Sequence, residues 1–532
     1  MKVLFVASEC VPFVKTGGLA DVVGALPIAL KESGADIRVM LPKYGIIDEY
    51  WKSRMRQLCH FEVLFGWEKV YCGVETLEDN GVTYYFIDNE SFFYVGDIYG
   101  DGFYEALRFA FFCRAVLEAL PKIDFFPDIL HLNDWQTGMI PALLKTQYLG
   151  SADYARIRTV FSIHNLKFQG LFAWNDLAGR LGLDARYFTS EYLEFYGCLS
   201  FMKGGLVFAD RISTVSPTYA GEIKTPFYGE NLDGLLRVRE STLSGILNGI
   251  DYTIFDPSTD RFLTHHFDAK HLEGKQKCKR ALQKECGLEE RDVPLIGFIA
   301  RLSTQKGLDL IERVLGDILR SDVQIVFLGK GDQRYVDLLN WANWRYPKRV
   351  HARIELDEGL AHRVYAGADM FLMPSQFEPC GLSQMIALRY GAVPIVRETG
   401  GLKDTIVPYN MYTDEGNGFS FANYNAHEML DTIERAVHYW RDDKPMWKRM
   451  MLRGMADDFS WAKPAEQYLA LYNSILPPPK KAGDPCTLCP QPEKLPDVEE
   501  AALEELLKEE IPAEEIPAEE HKEEPPETKK EK

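Results

Sequence analysis

Positively charged and glycine-rich turns follow several strand-like stretches of this sequence, and they carry its clearest chemical signal. Arg301 and Lys306 come directly after the apolar run 295–300, where a helical pattern begins. The positive end of a helix dipole repels cations there unless an anion binds, so the pair favours a diphosphate over solvated surface charges. Lys15 and Gly18 follow the first strand-like run, where backbone N–H groups can approach an anion, although ordinary packing also explains that turn.

A rigid polar turn follows the apolar run 370–373. In this turn Glu378 stands between Phe377 and Pro379, rather than on a solvated helix face. Free N–H groups at the start of the next helix, and again after the following strand, could bind a phosphate or a sugar hydroxyl. The residues in question are Gly381, Leu382, Thr399 and Gly400. An ordinary strand-to-helix turn explains any one of them, whereas three polar strand ends in one region indicate a binding site.

Two further polar clusters follow apolar runs in the first part of the chain. Asp134 comes just after one run, and His164 and Asn165 end another. A lone histidine is more often structural than catalytic, but His164 ends a strand that faces the predicted cleft. The sequence contains no P-loop, HExxH or GxSxG motif, and no compact carboxylate cluster of the kind that magnesium usually requires.

Hydrophobic periodicity predicts the strands and helices that hold these turns. Predicted strands are 3–7, 37–41, 84–87, 129–132, 159–163, 211–215, 295–300, 324–328, 370–373 and 393–396. Predicted helices include 19–31, 307–320, 333–345, 381–390 and 426–440. Helical patterns separate several of the strands, and the strands are continuously apolar, which indicates parallel sheets covered on both faces. We therefore predict an α/β fold with two doubly wound domains, joined near residue 250 and facing a central cleft.

Composition narrows the class of protein. With 532 residues, of which 46% are hydrophobic, the chain can form large cores and is not wholly disordered. Its net charge of −19 argues against a nucleic-acid partner. Residues 493–532 hold 16 acidic and 6 basic side chains, which account for −10 of that charge. We predict that residues 478–532, with a tandem Ile-Pro-Ala-Glu-Glu unit, form a disordered acidic tail of unknown partner.

The cysteines and the N-terminus favour a reducing compartment. Most of the ten cysteines interrupt apolar runs, as buried thiols do, and the single CxxC at Cys486 and Cys489 is weak support for a metal site. The apolar run after Lys2 is too short for a signal peptide, and no uncharged stretch approaches the length of a membrane span. The sequence thus predicts a cytoplasmic protein with no membrane partner.

The motifs, taken together and in order, resemble those of the bacterial glycogen synthases and plant starch synthases. They are KTGGLADV (15–22), HLNDWQTG (131–138), SIHN (162–165), NGID (248–251), RLSTQKG (301–307), SQFEPCGLSQM (375–385) and TGGL (399–402). The resemblance covers about residues 1–476 and implies a GT-B fold of two Rossmann-like domains. The implied parts are an acceptor-side domain at 1–250, a nucleotide-sugar domain at 251–460 and a helix at 461–477 that crosses back.

The resemblance also implies an activity and a set of site residues. The activity is transfer of glucose from ADP-glucose to the non-reducing end of an α-1,4-glucan, with retention of configuration and without a metal or other cofactor. Arg301 and Lys306 would neutralise the leaving diphosphate, and Glu378 would support the positively charged transition state without acting as a nucleophile. The sugar and its reacting end would contact His164, Asn165, Asp134 and Asn248. The nucleotide sugar would contact Lys15, Gly18, Cys380, Gly381, Leu382, Thr399 and Gly400.

The sequence departs from the family at one position of the nucleotide site. Many relatives place an aromatic ring over the adenine shortly before the segment 357–362, where this chain has Glu355 and Leu356. Tyr365 is the alternative platform. Because of this difference, the choice between ADP-glucose and UDP-glucose is predicted less directly than the reaction itself.

Two other functions fit part of the pattern. One is a related retaining transferase that makes a disaccharide such as sucrose or trehalose. The paired KTGGLADV and FEPCGL motifs favour the polymer-extending enzyme. The other is a glucan-binding protein without activity, which predicts damage at Arg301, Lys306, Glu378 or His164, and all four residues are present.

Removal of the predicted tail is expected to leave the enzyme almost unchanged. A chain ending at Leu476 should keep its kcat and melting temperature, because a disordered segment makes no packed contacts with the folded part. Thermal unfolding and glucan transfer, compared with the full chain, test this. A fall of several degrees in melting temperature would show that the tail docks on the enzyme.

Overall fold

Two mainly parallel sheets organise the chain in a computed structural model, which describes residues 1–100 and 102–477. These described residues belong to one compact unit, Met1–Pro478. The predicted tail at 478–532, with Cys486 and Cys489, lies outside the described residues.

The first sheet holds the N-terminal half of the described chain. The strands of this half are β1 (Lys2–Val6), β2 (Asp36–Pro42), β3 (Arg56–Phe65), β4 (Glu68–Asp79), β5 (Val82–Asp88), β6 (Ile129–Asn133), β7 (Arg158–Ile163), β8 (Leu171–Ala173), β9 (Glu194–Phe195), β10 (Cys198–Ser200), β11 (Arg211–Thr214) and β12 (Leu243–Gly245). The sheet order is β12-β11-β7-β6-β1-β2-β5-β4-β3, and β8, β10 and β9 form a small separate sheet. Strand β1 pairs in parallel with β2 and β6, and its last four residues are completely buried. A strand covered on both faces must be apolar throughout, which explains the run Val-Leu-Phe-Val.

The second sheet is parallel throughout, in the order β15-β14-β13-β16-β17-β18. Its strands are β13 (Leu295–Ile299), β14 (Gln324–Leu328), β15 (Val350–Arg353), β16 (Met370–Met373), β17 (Val393–Arg397) and β18 (Phe419–Phe421). Successive side chains of β14 enter opposite cores. Ile325 and Phe327 pack in one cluster, whereas Val326 and Leu328 pack in the other. Alternation between two apolar layers therefore produces a continuously apolar strand.

Helices cover both sheets. In the first half they are α1 (Gly18–Glu32), α2 (Glu49–Lys52), α3 (Glu90–Phe93), α4 (Gly102–Ala119), α5 (Met139–Leu143), α6 (Ala152–Ala155), α7 (Trp174–Leu181), α8 (Phe201–Phe208), α9 (Pro217–Glu222) and α10 (Asp233–Val238). In the second half they are α11 (Glu273–Glu285), α12 (Leu308–Arg320), α13 (Gln333–Arg345), α14 (Glu358–Gly367), α15 (Ser383–Arg389), α16 (Gly400–Thr405), α17 (Ala426–Asp442), α18 (Lys444–Ala456) and α19 (Ala462–Asn473). Each helix predicted from periodicity is present, with ends that differ by at most two residues from those expected, and the crossing helix expected at 461–477 is Ala462–Asn473.

The last described helix, α19, packs on the first sheet although it follows the second one in sequence. Tyr468 and Tyr472 belong to the first core, and the Tyr472 hydroxyl lies 2.5 Å from Nδ1 of His131 on β6. The other ring nitrogen of His131 is 2.6 Å from Ser162 Oγ on β7. Burial lowers the pKa of His131 well below its usual value, so this imidazole is neutral and joins strands and helix by hydrogen bonds.

All predicted strands are present, and the structure adds several more. Strands β3 and β4 form an antiparallel hairpin at the edge of the first sheet. Sequence periodicity missed it because most β3 side chains are partly or fully exposed and form no continuous apolar run. None of the described helices is both long enough and apolar enough to cross a lipid bilayer. The domain boundaries near 250 and 460, and the cytoplasmic location, stay predictions.

Candidate active site

The carboxylate of Glu378 lies at the carboxyl end of β16 and pairs with Lys306, which follows β13. Lys306 Nζ is 2.6 Å from Glu378 Oε2, and the Ser375 hydroxyl donates to the same oxygen at 2.9 Å. Glu378 is only 6% exposed, so this negative charge is held between two donors in a largely buried turn. Two predicted site residues, separated by 72 positions in sequence, thus form one charged pair.

Close backbone approach brings the strand-end turns together. Gly307 has φ +77°, and a Cβ atom there would lie 2.2 Å from the Pro374 carbonyl oxygen. Gly400 has φ +44°, and its Cβ would lie 1.9 Å from the Glu378 carbonyl oxygen. Only glycine fits either position, because any side chain would overlap the turn that carries Glu378.

The first half contributes a second polar group at the ends of β6 and β7. Asp134 Oδ1 accepts hydrogen bonds from the backbone N–H groups of His164 (2.7 Å) and Asn165 (3.4 Å). Asp134 itself has φ +55°, a left-handed conformation that these bonds hold in place. Burial raises the pKa of Asp134 to about 7, although the two N–H groups oppose that shift. The structure therefore brings these three predicted residues together.

The imidazole of His164 is neutral and held in one orientation. Its Nε2 lies 2.9 Å from Asn133 Oδ1, and the amide nitrogen of Asn133 donates to the Val6 carbonyl at 2.9 Å. Because the Asn133 oxygen must then accept, His164 Nε2 carries the proton and Nδ1 keeps a lone pair. Burial lowers the pKa of His164 to about 3. An uncharged ring of this kind suits hydrogen bonding to sugar hydroxyls.

Acidification is expected to destabilise the protein through His164. The unfolded chain binds a proton near pH 6.5, while the folded chain does so near pH 3, so stability is lost as pH falls below 6.5. The free energy of unfolding of wild type, relative to that of His164→Gln, should fall by about 1.6 kcal/mol between pH 6.5 and 5, as measured by denaturant unfolding. Gly316→Ala, which changes no titratable group, is the control and should show a constant difference. A constant difference for His164→Gln would contradict a neutral ring in the folded chain.

The Lys15–Gly18 turn is held by a carboxylate that the sequence did not single out. Glu9 Oε2 accepts hydrogen bonds from the backbone N–H groups of Thr16 (2.5 Å) and Gly17 (3.2 Å). Burial raises the pKa of Glu9, which those bonds oppose. Lys15 is exposed and pairs with Asp21 at 2.6 Å, while Gly18 lies next to Leu382 of the second half. Predicted nucleotide-site residues from the two halves therefore meet here.

Glu222, at the end of α9, occupies the start of α16. Its carboxylate accepts from the Thr399 hydroxyl at 2.9 Å and from the Gly400 N–H at 3.0 Å. Burial raises the pKa of Glu222. The Thr399 hydroxyl and the Gly400 N–H, which we predicted to contact the nucleotide sugar, thus bind a side chain of the first half in this structure. Their role in binding the nucleotide sugar stays a prediction.

The remaining predicted residues differ in burial and in their partners. Cys380 is buried, and burial raises the pKa of its thiol to about 12. Asn248 lies against Cys380, and its buried Oδ1 has no hydrogen-bond partner in the described chain. Gly381 adopts φ +71° directly before Leu382 and α15. Arg301 is exposed, and its guanidinium forms no ion pair or hydrogen bond with another described residue.

One alternative from the sequence is wrong. Tyr365 is 4% exposed, donates to Ser383 Oγ at 3.0 Å and packs its ring against Phe371, so it offers no free face to an adenine. Leu356, in contrast, is exposed. Within residues 1–100 and 102–477, no cluster of three or more His, Cys, Asp or Glu side chains is arranged to hold a metal ion.

Four residues of the site were not predicted: Glu9, Asn133, Glu222 and Arg397. Arg397 is buried at the end of β17, where it donates to the Gln376 carbonyl at 2.5 Å and to the Tyr228 hydroxyl at 3.1 Å. Glu9 and Asn133 follow or end predicted strands, so their positions alone could have identified them. Glu222 ends the short helix α9, and no signal in the sequence distinguishes it from a surface carboxylate.

Comparison with known proteins identifies the family of this chain. Residues 2–238 match the family described as Starch synthase catalytic domain, and residues 280–449 match Glycosyl transferases group 1. The chain is 53% identical over 477 residues to the glycogen synthase of Anoxybacillus flavithermus, covering 90% of this chain and 98% of that one. It is 54% identical over the same length and coverage to that of Geobacillus stearothermophilus.

A solved structure supports the same grouping. The catalytic domain of Starch Synthase IV from Arabidopsis thaliana, bound to ADP and acarbose, superposes with a TM-score of 0.83 at 35% identity. The match covers 89% of this chain and 98% of that one. The predicted GT-B arrangement of two Rossmann-like sheets around a cleft is thereby confirmed for the described residues.

Proposed function

Because the chain belongs to the glycogen synthase family and is a glucosyltransferase, we propose that it transfers glucose from ADP-glucose to the non-reducing end of an α-1,4-glucan. In this reaction the bond from the anomeric carbon to the diphosphate breaks, and a bond to the acceptor oxygen forms on the same face of the sugar. The proton of the acceptor hydroxyl is released with ADP. Identity of about half over 90% of the chain supports the polymer-extending enzyme over a disaccharide synthase.

The observation that carries the proposal is the Lys306–Glu378 pair. The unpaired Arg301 precedes Lys306 in the same turn after β13. As the glycosidic bond breaks, negative charge grows on the diphosphate and positive charge on the sugar ring. Arg301 and Lys306 stabilise the first charge, and the buried Glu378 carboxylate stabilises the second. Preorganised charges act strongly here because the turn is largely shielded from water.

Neutral polar groups are proposed to hold the two sugars. His164 offers an Nδ1 lone pair, and Asn248 offers a buried oxygen without a protein partner. Asp134 fixes the backbone on which His164 and Asn165 stand. Lys15 and Gly18 from the first half, with Cys380, Gly381 and Leu382 from the second, enclose the nucleotide sugar.

The test is an incorporation assay with purified protein. ADP-glucose or UDP-glucose is supplied with glycogen, and in parallel with glucose, fructose and their 6-phosphates as acceptors. We expect glucose to enter glycogen from ADP-glucose. Transfer to the small acceptors alone would identify a disaccharide synthase, and glycogen binding without turnover would identify a non-catalytic binding protein.

A further inference from the structure

Helices α9 and α16, which belong to different halves of the molecule, cap each other. At one end of their contact, the Glu222 carboxylate accepts hydrogen bonds from the Thr399 hydroxyl and from the Gly400 N–H. At the other end, Asp404 accepts from the Thr218 N–H at 3.0 Å and from the Thr218 hydroxyl at 2.6 Å. The N-terminus of each helix therefore binds a carboxylate of the other helix.

The spacing of these residues explains the arrangement. Thr218 and Glu222 are four positions apart on α9, so they lie on one face of that helix. Gly400 and Asp404 have the same spacing on α16. The first N–H groups of a helix have no partner within the helix, and a carboxylate is favoured beside them. Here the contact between the two halves supplies both carboxylates.

The two caps differ in burial. Gly400 is buried, and its N–H lies 3.0 and 3.1 Å from the two carboxylate oxygens of Glu222. An N–H group that is buried without a partner is costly, so the start of α16 depends on this carboxylate. Asp404 is exposed, and water can take its place beside Thr218. Of the two carboxylates, Glu222 is therefore the one that the structure needs.

The start of α16 in turn holds the turn that carries Glu378. The Gly401 N–H donates to the Glu378 carbonyl and to the Pro379 carbonyl, both at 3.2 Å. Gly400 lies so close to the Glu378 carbonyl that no side chain fits between them. A movement of the first turn of α16 must therefore move the backbone of Glu378. A continuous connection runs from Glu222 in the first half to Glu378 in the second.

We propose that Glu222 is a positioning residue for glucose transfer. Its carboxylate fixes the first turn of α16 when the two halves are in contact, and this turn fixes the place of Glu378. Loss of the carboxylate leaves the Gly400 N–H without its partner and loosens the Glu378 turn. A misplaced reacting group lowers the rate even when every group that touches the substrate is present. This inference rests on the proposed function, because it assigns a role in the same reaction.

Hydrogen exchange, measured by mass spectrometry, tests this connection without turnover. In Glu222→Ala, peptides that contain Gly400 and the turn 375–382 should exchange about tenfold faster than in wild type, because a buried hydrogen bond is lost. Asp404→Ala is the matched control, since it removes the other cap of the same contact. It should speed exchange near Thr218 and leave the turn 375–382 unchanged.

Steady-state transfer of glucose from ADP-glucose to glycogen provides the second measurement. Glu222→Ala should lower kcat about tenfold, whereas Asp404→Ala should leave kcat unchanged. Glu222→Gln keeps one oxygen that can accept from the Gly400 N–H, so it should recover part of the lost kcat. A merely structural role of Glu222 would lower the melting temperature of Glu222→Ala without changing the kcat of the folded protein.

Three results would overturn the proposal: a normal kcat in Glu222→Ala, an equal loss of kcat in Asp404→Ala, or unchanged exchange of the turn 375–382. Tighter ADP binding by Glu222→Ala at normal kcat would show instead that the carboxylate competes with the nucleotide sugar for the Gly400 N–H. If Glu222→Ala does not fold, Glu222→Gln must show a smaller loss of kcat and faster exchange, both absent from Asp404→Asn. If the exchange results hold but wild type transfers no glucose, the proposed function fails, while the control of the Glu378 turn by Glu222 stands.

Discussion

Replacement of Glu378 by glutamine is expected to lower kcat by about two to three orders of magnitude, because a preorganised charge in a water-excluded site contributes roughly 3–4 kcal/mol to the barrier. The amide keeps the size of the side chain and can still accept from Ser375. It removes the negative charge opposite Lys306 and opposite the developing positive charge on the sugar. Steady-state transfer of glucose from ADP-glucose to glycogen measures the effect.

A second Lys–Glu pair provides the control. Lys43 and Glu75 also lie 2.6 Å apart and are also partly buried, but Lys43 follows β2 and Glu75 lies on β4, and neither belongs to the site. Glu75→Gln should therefore change stability by an amount similar to Glu378→Gln while leaving kcat unchanged. Near-normal turnover in Glu378→Gln would remove Glu378 from the catalytic machinery.

Replacement of Gly400 by alanine is expected to destabilise the protein by roughly 2–4 kcal/mol, through overpacking and an unfavourable left-handed conformation. The new Cβ would lie 1.9 Å from the Glu378 carbonyl oxygen, so either α16 or the Glu378 turn must move. A shift of that turn displaces the carboxylate, so kcat should fall at least about tenfold in the remaining folded protein. Denaturant unfolding and transfer kinetics, measured together, separate the two effects.

Gly316→Ala is the matched control for this substitution. Gly316 lies inside α12, and a Cβ atom built there meets nothing within 4 Å. Alanine should stabilise the helix by about 0.5–1 kcal/mol and leave kcat unchanged. If Gly400→Ala were as stable and active as wild type, the close approach of the two turns would not be needed for stability or for catalysis.

Local pattern determined most of the secondary structure. Strand β14 and helix α13 have the bounds that periodicity predicts. A strand between two apolar layers appears in the sequence as a continuous apolar run, and a helix with one apolar face appears as apolar residues three and four positions apart. The exposed hairpin β3–β4 has neither pattern and was missed. Sequence order likewise placed Lys306, Glu378 and His164 at strand ends, where parallel sheets bind ligands.

Tertiary structure alone decided which of these groups touch. The Lys306–Glu378 pair, the capping of Gly400 by Glu222 and the bridge from Arg397 to Tyr228 each join residues at least 72 positions apart. Burial of Tyr365 likewise depends on the packing of α14 against β16, not on the residue type. Periodicity reports which face of an element is buried, but not what lies opposite it. The chemistry of this cleft comes from contacts between distant turns, and only the folded chain brings those turns within hydrogen-bonding distance.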